Sequence, residues 1–287
     1  MDLCNSNDIR ALLGRHGFRF SKSMGQNFLI EGWVPRDIAD ASGADGDCGV
    51  LEIGPGIGPL TVQLARRAGK VAAVELDRSL LPILAETLAP YDNVTVIPGD
   101  VMKLDLSGLA AEQFPGLIPM ACANLPYNIT TPVLTALIEA NCFAAITVMI
   151  QREVALRICA SPGTADYGAF SVFCQYHTQP EFLFEVPPEC FLPAPKVTSA
   201  VIRLVPRKEP PQDLVDDAFF FQVVKAAFAQ RRKTLLNGLT SAFGDRLSRD
   251  QLRQAIAGAG LPETIRGERL GIPEFAALAR ALRALGA

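Results

Sequence analysis

The pattern of apolar and polar positions divides the chain into a long region of alternating strands and helices and a shorter helical tail. Short apolar runs bounded by turn residues favour strands, and longer stretches of mixed composition favour helices. The predicted strands are 50–53, 71–74, 94–97, 117–123 and 146–150, and the predicted helices between them are 60–68, 79–88 and 132–140. This alternation predicts an α/β fold, with a mostly parallel sheet covered by helices on both faces.

Two further apolar runs, 182–186 and 197–205, are separated by the proline-rich loop 187–195. Because this connection has no helix long enough for a parallel crossover, we expect it to close the sheet with an antiparallel element. The polar, proline-rich segment 206–211 is typical of a linker.

The remainder of the chain predicts a small C-terminal helical domain, with helices at 218–228, 248–257 and 273–285. Ser248 suits an N-cap, and Pro273 suits the first turn of a helix. We therefore predict two domains, 1–206 and 207–287.

Composition supports a packed protein without a general affinity for nucleic acid. Of the 287 residues, 49% are hydrophobic and 20% are charged, which favours a globular core over disorder. The formal net charge is -3, whereas a general nucleic-acid binder is usually basic. Any nucleic-acid surface must therefore be local.

The cysteines, the long uncharged run and the N-terminal segment further narrow the class of protein. The seven cysteines form no CxxC pair, which predicts reduced, mostly buried thiols and gives no support to a zinc site. The uncharged run 113–138 contains four prolines, so a membrane-spanning helix is not expected there. The N-terminus lacks the features of a secretory signal, and we expect a cytoplasmic protein.

A glycine-rich turn and two carboxylates predict a nucleotide-like cofactor pocket. The turn Gly54-Pro55-Gly56-Ile57-Gly58 directly follows the first strand, Glu75 ends the second, and Asp100 lies just beyond the third. The carboxyl ends of parallel strands converge on one crevice, where a carboxylate can accept from ribose hydroxyls or an adenine amine. NAD and S-adenosylmethionine both fit this pattern. The alternative is that the carboxylates merely cap turns.

The segment Asn124-Leu125-Pro126-Tyr127 follows the predicted strand 117–123 and suits the binding of a planar amine. The Asn124 side-chain oxygen and the backbone carbonyl of Leu125 or Pro126 can accept the two amine hydrogens, and the Tyr127 ring can stack on a base. An ordinary strand-to-helix turn with a packed aromatic is the alternative interpretation.

Taken together, these motifs resemble the ribosomal RNA adenine dimethyltransferase family, and most closely its bacterial small-subunit (16S) branch. The matching segments run in order along nearly the whole chain: Ser23-Met24-Gly25-Gln26-Asn27-Phe28-Leu29, Leu51-Glu52-Ile53-Gly54-Pro55-Gly56, Val74-Glu75-Leu76-Asp77, Gly99-Asp100, Asn124-Leu125-Pro126-Tyr127-Asn128-Ile129, Pro195-Lys196-Val197, Ser199-Ala200-Val201 and Arg231-Arg232-Lys233-Thr234-Leu235. The set is far more specific than any one of its members.

The resemblance implies a Rossmann-like class I methyltransferase that uses S-adenosylmethionine. The expected substrate is the N6 amine of two adjacent adenines in a 3'-end hairpin loop of 16S rRNA, modified during small-subunit biogenesis. The implied cofactor residues are Asn27, Leu29, Gly54, Glu75, Asp100 and Asn124. Of these, Asn27 and Leu29 rest on the resemblance alone. For catalysis we expect Asn124, Leu125, Pro126 and Tyr127 to act on the base, with Phe191 as a second aromatic wall.

Two basic clusters are candidate RNA contacts. Arg231, Arg232 and Lys233 form one, with Lys225, Arg246, Arg249 and Arg253 nearby in sequence, and Arg10, Arg15, Arg19 and Lys22 form the other. Each cluster alone is more simply explained as a solvated face. Beside a base pocket they become candidate phosphate contacts. The expected partner is 16S rRNA in the assembling small subunit, bound by a monomer that needs neither metal nor membrane.

Three other functions compete with this one. A large-subunit (23S) adenine methyltransferase of the macrolide-resistance type would share the fold and pocket, although Leu125 and the segment 231–235 speak against it. A nonenzymatic ribosome-assembly factor could retain the pocket without using it. A dehydrogenase is disfavoured because no hydride-transfer constellation is evident.

Overall fold

The computed structural model describes residues 1–18, 26–209 and 216–287. The candidate contacts Arg19 and Lys22, the motif residues 23–25 and the linker residues 210 and 211 lie outside the described residues.

The regular elements are numbered here in chain order. The strands are β1 (Phe28–Leu29), β2 (Cys48–Ile53), β3 (Lys70–Glu75), β4 (Val94–Pro98), β5 (Ile118–Asn124), β6 (Ile146–Gln151), β7 (Thr178–Val186), β8 (Phe191–Leu192) and β9 (Ser199–Pro206). The helices are α1 (Ser6–Arg15), α2 (Trp33–Ser42), α3 (Pro59–Ala65), α4 (Leu81–Thr87), α5 (Leu106–Gln113), α6 (Thr130–Glu139), α7 (Arg152–Cys159), α8 (Ala169–His177), α9 (Asp217–Ala229), α10 (Leu235–Phe243), α11 (Arg249–Gly258) and α12 (Ile272–Ala284).

A seven-stranded sheet with the order β4-β3-β2-β5-β6-β9-β7 forms the centre of the fold. The pairs β4–β3, β3–β2, β2–β5 and β5–β6 are parallel, and β9 pairs with β6 in the antiparallel sense. The predicted mostly parallel sheet and its antiparallel closing element are confirmed. A separate two-stranded ribbon pairs β1 with β8.

Both faces of the sheet are covered, as the continuous burial of its central strand shows. All six residues of β2 are buried, although neighbouring side chains of a strand point to opposite faces. On one face, Val50, Val71 and Met120 join a core cluster with Val34 of α2 and Leu60 of α3. This double burial explains why the strands appear in the sequence as nearly continuous apolar runs.

The chain divides into two compact units, and this division differs from the predicted domains 1–206 and 207–287. The first unit is Met1–Ala155 with Glu181–Pro206, and the second is Leu156–Pro180 with Arg207–Ala287. Residues 156–180 therefore belong with the C-terminal helices. One reason is Tyr167, whose fully buried side chain joins the core of the second unit and donates a hydrogen bond to the Leu270 carbonyl oxygen at 3.0 Å. The functions assigned to the two domains stay predictions.

The helical tail follows its predicted capping chemistry. Ser248 caps α11 by accepting from the Gln251 backbone N–H, while the Gln251 side chain accepts from the Ser248 backbone N–H. Pro273 stands in the first turn of α12. Helix α10 was not among the predicted helices, and Gly238 lies near its centre.

The cysteines agree with the predicted reduced, mostly buried thiols. All seven cysteines are free, and Cys48, Cys122, Cys174 and Cys190 are buried. No helix in the described ranges is long and apolar enough to cross a membrane. Across the same ranges, no group of three or more His, Cys, Asp or Glu side chains could hold a metal ion.

Candidate active site

A cavity of about 280 Å³ lies at the carboxyl edge of the parallel strands in the first unit. Its walls come from the residues that follow β2, β3, β4 and β5, and from the segment that contains β1. The lining residues that the sequence had singled out are Asn27, Leu29, Gly54, Glu75, Asp100, Asn124, Leu125, Pro126, Tyr127 and Phe191. The structure thus brings together the predicted cofactor and base residues.

The glycine-rich turn leaves one wall of the cavity open. The Gly54 N–H donates to the Val74 carbonyl oxygen at 2.9 Å, which joins the turn to the end of β3. Gly54 has a φ of 69°, and no atom lies within 4 Å of the place where a Cβ would stand. A side chain there would be strained and would fill open space beside the cavity. The turn can therefore bring backbone close to a ligand.

Two carboxylates follow adjacent strand ends, as predicted, but their surroundings differ. Glu75 is only 6% exposed, and desolvation raises its pKa, although the backbone N–H groups of Asp77 and Gly56 oppose this shift. Glu75 Oε1 accepts from the Asp77 N–H at 2.7 Å. Asp100 is more open, and its Oδ1 caps the next turn by accepting from the Met102 N–H at 3.1 Å. Capping thus accounts for one oxygen of Asp100.

Glu52 is a buried carboxyl in the cavity wall that sequence reasoning did not select. It is 1% exposed, and its Oε2 has no hydrogen-bond partner within the described part of the chain. Burial raises the pKa of Glu52 to about 8; the Thr61 hydroxyl opposes this shift, and the charge of Glu75 adds a smaller increase. A charged residue in an otherwise apolar strand could have revealed this position, because unpaired buried carboxyls are rare. The arrangement suits a cationic ligand.

The segment 124–127 turns sharply at the end of β5. Asn124 is half-buried, and the Leu125 N–H donates to the Met149 carbonyl oxygen at 3.1 Å, which fixes the turn to β6. The Pro126 carbonyl oxygen accepts from the Ile129 N–H and the Thr130 hydroxyl, both at 3.2 Å. A carbonyl oxygen has two lone pairs, so Pro126 has no acceptor capacity left for a ligand. These two bonds favour the Leu125 carbonyl over the Pro126 carbonyl as a ligand acceptor, and the catalytic roles of both residues stay predictions.

Tyr127 borders the cavity and is fixed by a second hydroxyl group. Its Oη lies 2.7 Å from Ser199 Oγ at the start of β9. Ser199 is fully buried, and burial raises the pKa of the Tyr127 phenol. Sequence reasoning had no means of pairing these two residues, because they lie 72 positions apart.

The β1–β8 ribbon forms another part of the cavity wall. Leu29 is paired with Phe191, and the two side chains are 2% and 3% exposed. Asn27 is half-exposed and also lines the cavity. Phe191 thus contributes to the core as well as to the wall, and it is less accessible than an exposed stacking platform would be.

The predicted basic contacts of the tail all lie in the second unit and differ in availability. Arg231 pairs with Glu268 at 3.3 Å and donates to the Ala165 carbonyl oxygen. Arg253 pairs with both Asp250 and Glu263. The side chains of Arg232 and Lys233 are exposed and make no ion pair with any described residue. Of the N-terminal cluster, Arg15 pairs with Glu86 at 2.5 Å, and Arg10 is exposed.

Fold and site together define a class I methyltransferase. The first five strands follow the order of the dinucleotide-binding sheet of dehydrogenases, but here the antiparallel strand β9 is inserted between β6 and β7. Residues 17–260 match the family model described as ribosomal RNA adenine dimethylase. The chain belongs to the ribosomal RNA adenine dimethylase family, whose members transfer methyl groups from S-adenosylmethionine to rRNA adenines.

Relatives named "Ribosomal RNA small subunit methyltransferase A" match over almost their whole length. The protein from Geobacillus thermodenitrificans is 49% identical over 287 residues, which covers 99% of this chain and 98% of the relative. The protein from Bacillus mycoides is 47% identical over 284 residues, covering 98% of this chain and 97% of the relative.

Solved structures show the same architecture. The 23S rRNA methyltransferase ErmE is 26% identical, with a TM-score of 0.69, covering 89% of this chain and 99% of that one. A dimethyladenosine transferase from Plasmodium falciparum gives a TM-score of 0.74 at 23% identity, covering 90% of this chain and 98% of that one. The latter likeness concerns the fold alone.

The residues of the cavity fit S-adenosylmethionine. The open space beside Gly54 admits a ligand close to the backbone, and Glu52 Oε2, which has no partner among the described residues, suits the positive charge of this cofactor. Glu75 and Asp100 supply carboxylate oxygens that can accept from hydroxyl and amine groups.

Proposed function

We propose that the protein dimethylates the N6 amine of two adjacent adenines in a 3'-end hairpin loop of 16S rRNA, during assembly of the small ribosomal subunit. The observation that carries the proposal is the position of Asn124 and Leu125 beside one cavity with the glycine turn and Glu75. The names of the relatives, at 47–49% identity over almost the whole chain, support the small subunit as the target.

The bound cofactor supplies an activated methyl group, so the protein's part is alignment and electrostatic stabilisation. We propose that Glu75 accepts from the ribose hydroxyls and Asp100 Oδ2 from the adenine amine, while Asp100 Oδ1 keeps its turn in place. Gly54 lets the backbone approach, and Asn27 and Leu29 line the same cavity. Glu52 would balance the positive charge.

For the base, we propose that the Asn124 side-chain oxygen and the Leu125 carbonyl oxygen accept the two amine hydrogens. These contacts favour a pyramidal nitrogen whose lone pair points toward the methyl carbon, which an aryl amine otherwise disfavours. The Pro126 carbonyl contributes indirectly, since its bonds to Ile129 and Thr130 fix the turn. Tyr127 stacks on the base, and Phe191 supports the cavity wall from the core.

The Asn124→Ala variant tests this assignment. We expect kcat for methyl transfer to fall by about a hundredfold or more, as when one donor or acceptor of a reacting centre is removed, with little change in RNA affinity. Asn7→Ala is the matched control, because this exposed amide of α1 does not line the cavity. Equal losses of turnover and RNA affinity in Asn124→Ala would contradict the catalytic role.

The RNA target is tested by labelled-methyl transfer to undermethylated small subunits and large subunits, followed by nucleotide mapping. We expect label on adjacent adenines of small-subunit RNA. Label on large-subunit RNA alone would instead favour the 23S activity that ErmE carries in its name.

A role in assembly without chemistry is the second candidate, and the second unit with its exposed cations is the feature that favours it. Glu75→Ala separates the two roles. We expect this variant to lose methyl transfer and to retain binding to small subunits.

We further propose that the protein acts in the cytoplasm as a monomer, which sedimentation at working concentration can check.

A further inference from the structure

We propose that Ser199 is a positioning residue for the base, acting through its hydrogen bond to Tyr127. This inference rests on the proposed stacking role of Tyr127 and deepens it. The hydroxyl oxygens of the two residues are 2.7 Å apart, within the normal range for O–H···O bonds. Ser199 itself does not line the cavity, so its effect on a base can only pass through the tyrosine.

The hydrogen bonds of Leu125 and Pro126 fix the backbone beneath Tyr127, but they do not hold the ring itself. Tyr127–Ile129 form a single 3-10 turn, which has no side-chain cap and no buried residue. A tyrosine on such a turn can rotate about two side-chain torsions. A second fixed point is therefore needed if the ring is to present one constant face to a base.

Ser199 supplies a fixed point because the sheet holds it rigidly. It is fully buried at the start of β9 and is paired with Gln151 at the end of β6. The neighbouring Thr198 carbonyl oxygen accepts from the Arg152 N–H at 3.0 Å. β6 also accepts a hydrogen bond from the Leu125 N–H. The same strand therefore aligns both the start of the 124–127 segment and Ser199, which anchors the Tyr127 ring.

The consequence is a ring attached at both ends, with Cα on the segment after β5 and Oη on β9. Neighbouring strands are about 4.8 Å apart, and β6 separates β5 from β9, so the tyrosine side chain has to reach across one strand. A phenylalanine at position 127 could stack but could not reach this anchor. The hydroxyl group of Tyr127 thus acquires a function that stacking alone does not require.

A double-mutant cycle of Tyr127→Phe and Ser199→Ala tests the proposal. We expect each single variant to lower kcat by about three- to tenfold, the kinetic equivalent of one hydrogen bond, with unchanged cofactor affinity. The double variant should lose no more than the worse single variant, because both remove the same bond. The fluorescence of 2-aminopurine at the target position should show a less stacked base in all three. Losses that multiply in the double variant would overturn the proposal.

Two controls separate positioning from packing. Ser42→Ala removes a buried hydroxyl of the same unit that bonds to the Ala39 carbonyl oxygen, and it should leave kcat and the fluorescence signal unchanged. Ser199→Cys keeps the buried volume but weakens the bond, so its kcat should fall as in Ser199→Ala if positioning matters. A normal kcat in Ser199→Cys and Tyr127→Phe would overturn the proposal.

The outcome also distinguishes this inference from the proposed role of Tyr127. If Tyr127→Ala retains full activity, the stacking role itself is wrong. If Tyr127→Ala is inactive while Tyr127→Phe and Ser199→Ala are normal, stacking stands and only the anchor is wrong.

Discussion

Two residues of the cavity wall, Glu52 and Gly54, have features that suit ligand binding but cost stability. Glu52 keeps a carboxyl oxygen without a partner among the described residues, and Gly54 keeps open the space that a side chain would occupy. Both features cost stability in a protein without ligand, because an unpaired buried polar group is unfavourable and a glycine loses more conformational freedom on folding than other residues. Such costs are typical of residues that serve a binding site.

Glu52 should make cofactor binding depend on pH. Its pKa of about 8 leaves it mostly neutral at pH 7, whereas a cationic ligand favours the carboxylate. Binding therefore releases a proton, and affinity should rise with pH up to about 8 and then level off. Calorimetry in buffers of different ionisation enthalpy measures this proton release, and Glu52→Gln should abolish it.

The Glu52 carboxyl should make the ligand-free protein less stable as pH rises, although cofactor affinity rises with pH. The folded pKa of Glu52 lies above its ordinary value of 4.5, so unfolding permits ionisation as pH rises between these values. The ligand-free protein should lose this contribution to stability across that range, and Glu52→Gln should lose less. An identical pH profile for the two proteins would contradict the burial argument.

Gly54→Ala should separate backbone strain from loss of ligand space. The left-handed backbone costs an Ala about 1–2 kcal/mol of stability, and its methyl group also enters the space beside the cavity. Gly116→Ala is the control, because Gly116 has a φ of 78° and open surroundings but lies outside the cavity wall. Both variants should unfold more easily in urea. Only Gly54→Ala should weaken cofactor binding, by at least about tenfold, or about 1.4 kcal/mol.

At the scale of elements, the sequence predicted long buried strands better than short or mixed ones. The predicted strand 71–74 lies within Lys70–Glu75, and the predicted strand 146–150 lies within Ile146–Gln151. The ribbon of β1 and β8 has two residues in each strand. This is too short for the alternation of apolar and polar residues that identifies a strand in a sequence. Phe28–Leu29 is a strand only because it pairs with Phe191–Leu192, which lies far along the chain.

The residues of the candidate site were likewise predictable only where local sequence patterns determine their position. Carboxylates at strand ends were predictable because parallel strands bring their carboxyl ends together. The Ser199–Tyr127 bond depends on the order of β5, β6 and β9 in the sheet, which local patterns do not contain. The grouping of residues 156–180 with the C-terminal helices likewise depends on tertiary packing around Tyr167.

The packing of α9 against α10 depends on a glycine. A Cβ on Gly238 would lie 2.4 Å from the Ala226 carbonyl oxygen, so the helices could not remain at their present separation. Gly238→Ala should destabilise the protein by about 1–3 kcal/mol through overpacking, measured by urea unfolding. Gly258→Ala in α11 is the matched control, because its nearest neighbour would be 4.0 Å away. It should be neutral or slightly stabilising, and equal destabilisation by both would contradict the packing argument.

At the scale of the whole molecule, an acidic protein has to bind a polyanion. The formal net charge of -3 opposes general attraction to RNA, so association must depend on the arrangement of particular cations. Several candidates are already engaged by acidic partners, among them Arg15, Arg231 and Arg253. The exposed side chains of Arg232 and Lys233 are therefore the stronger candidates in the described part of the tail.

The salt dependence of RNA binding should distinguish these cations. Arg232→Gln should reduce the slope of log affinity against log salt concentration by about 0.7–0.9, the effect of losing one phosphate contact. Arg253→Gln changes the net charge equally but removes a side chain already paired with Asp250 and Glu263, so its slope should stay near that of the unaltered protein. Filter binding across a salt series measures both. Equal slopes for Arg232→Gln and the unaltered protein would remove Arg232 from the interface.

The Pro126 carbonyl oxygen already accepts two hydrogen bonds, and this bears on how the first and second methyl additions differ. Its bonds to Ile129 and Thr130 leave Asn124 and Leu125 as the proposed acceptors, and a fresh adenine amine has one hydrogen for each. A once-methylated amine has a single hydrogen, so one acceptor then loses its donor. On the proposed roles, the second addition starts with fewer hydrogen bonds to the base and a greater share of its binding free energy from contact with the Tyr127 ring. Monomethylated adenine is thus a chemically distinct substrate for the same cavity.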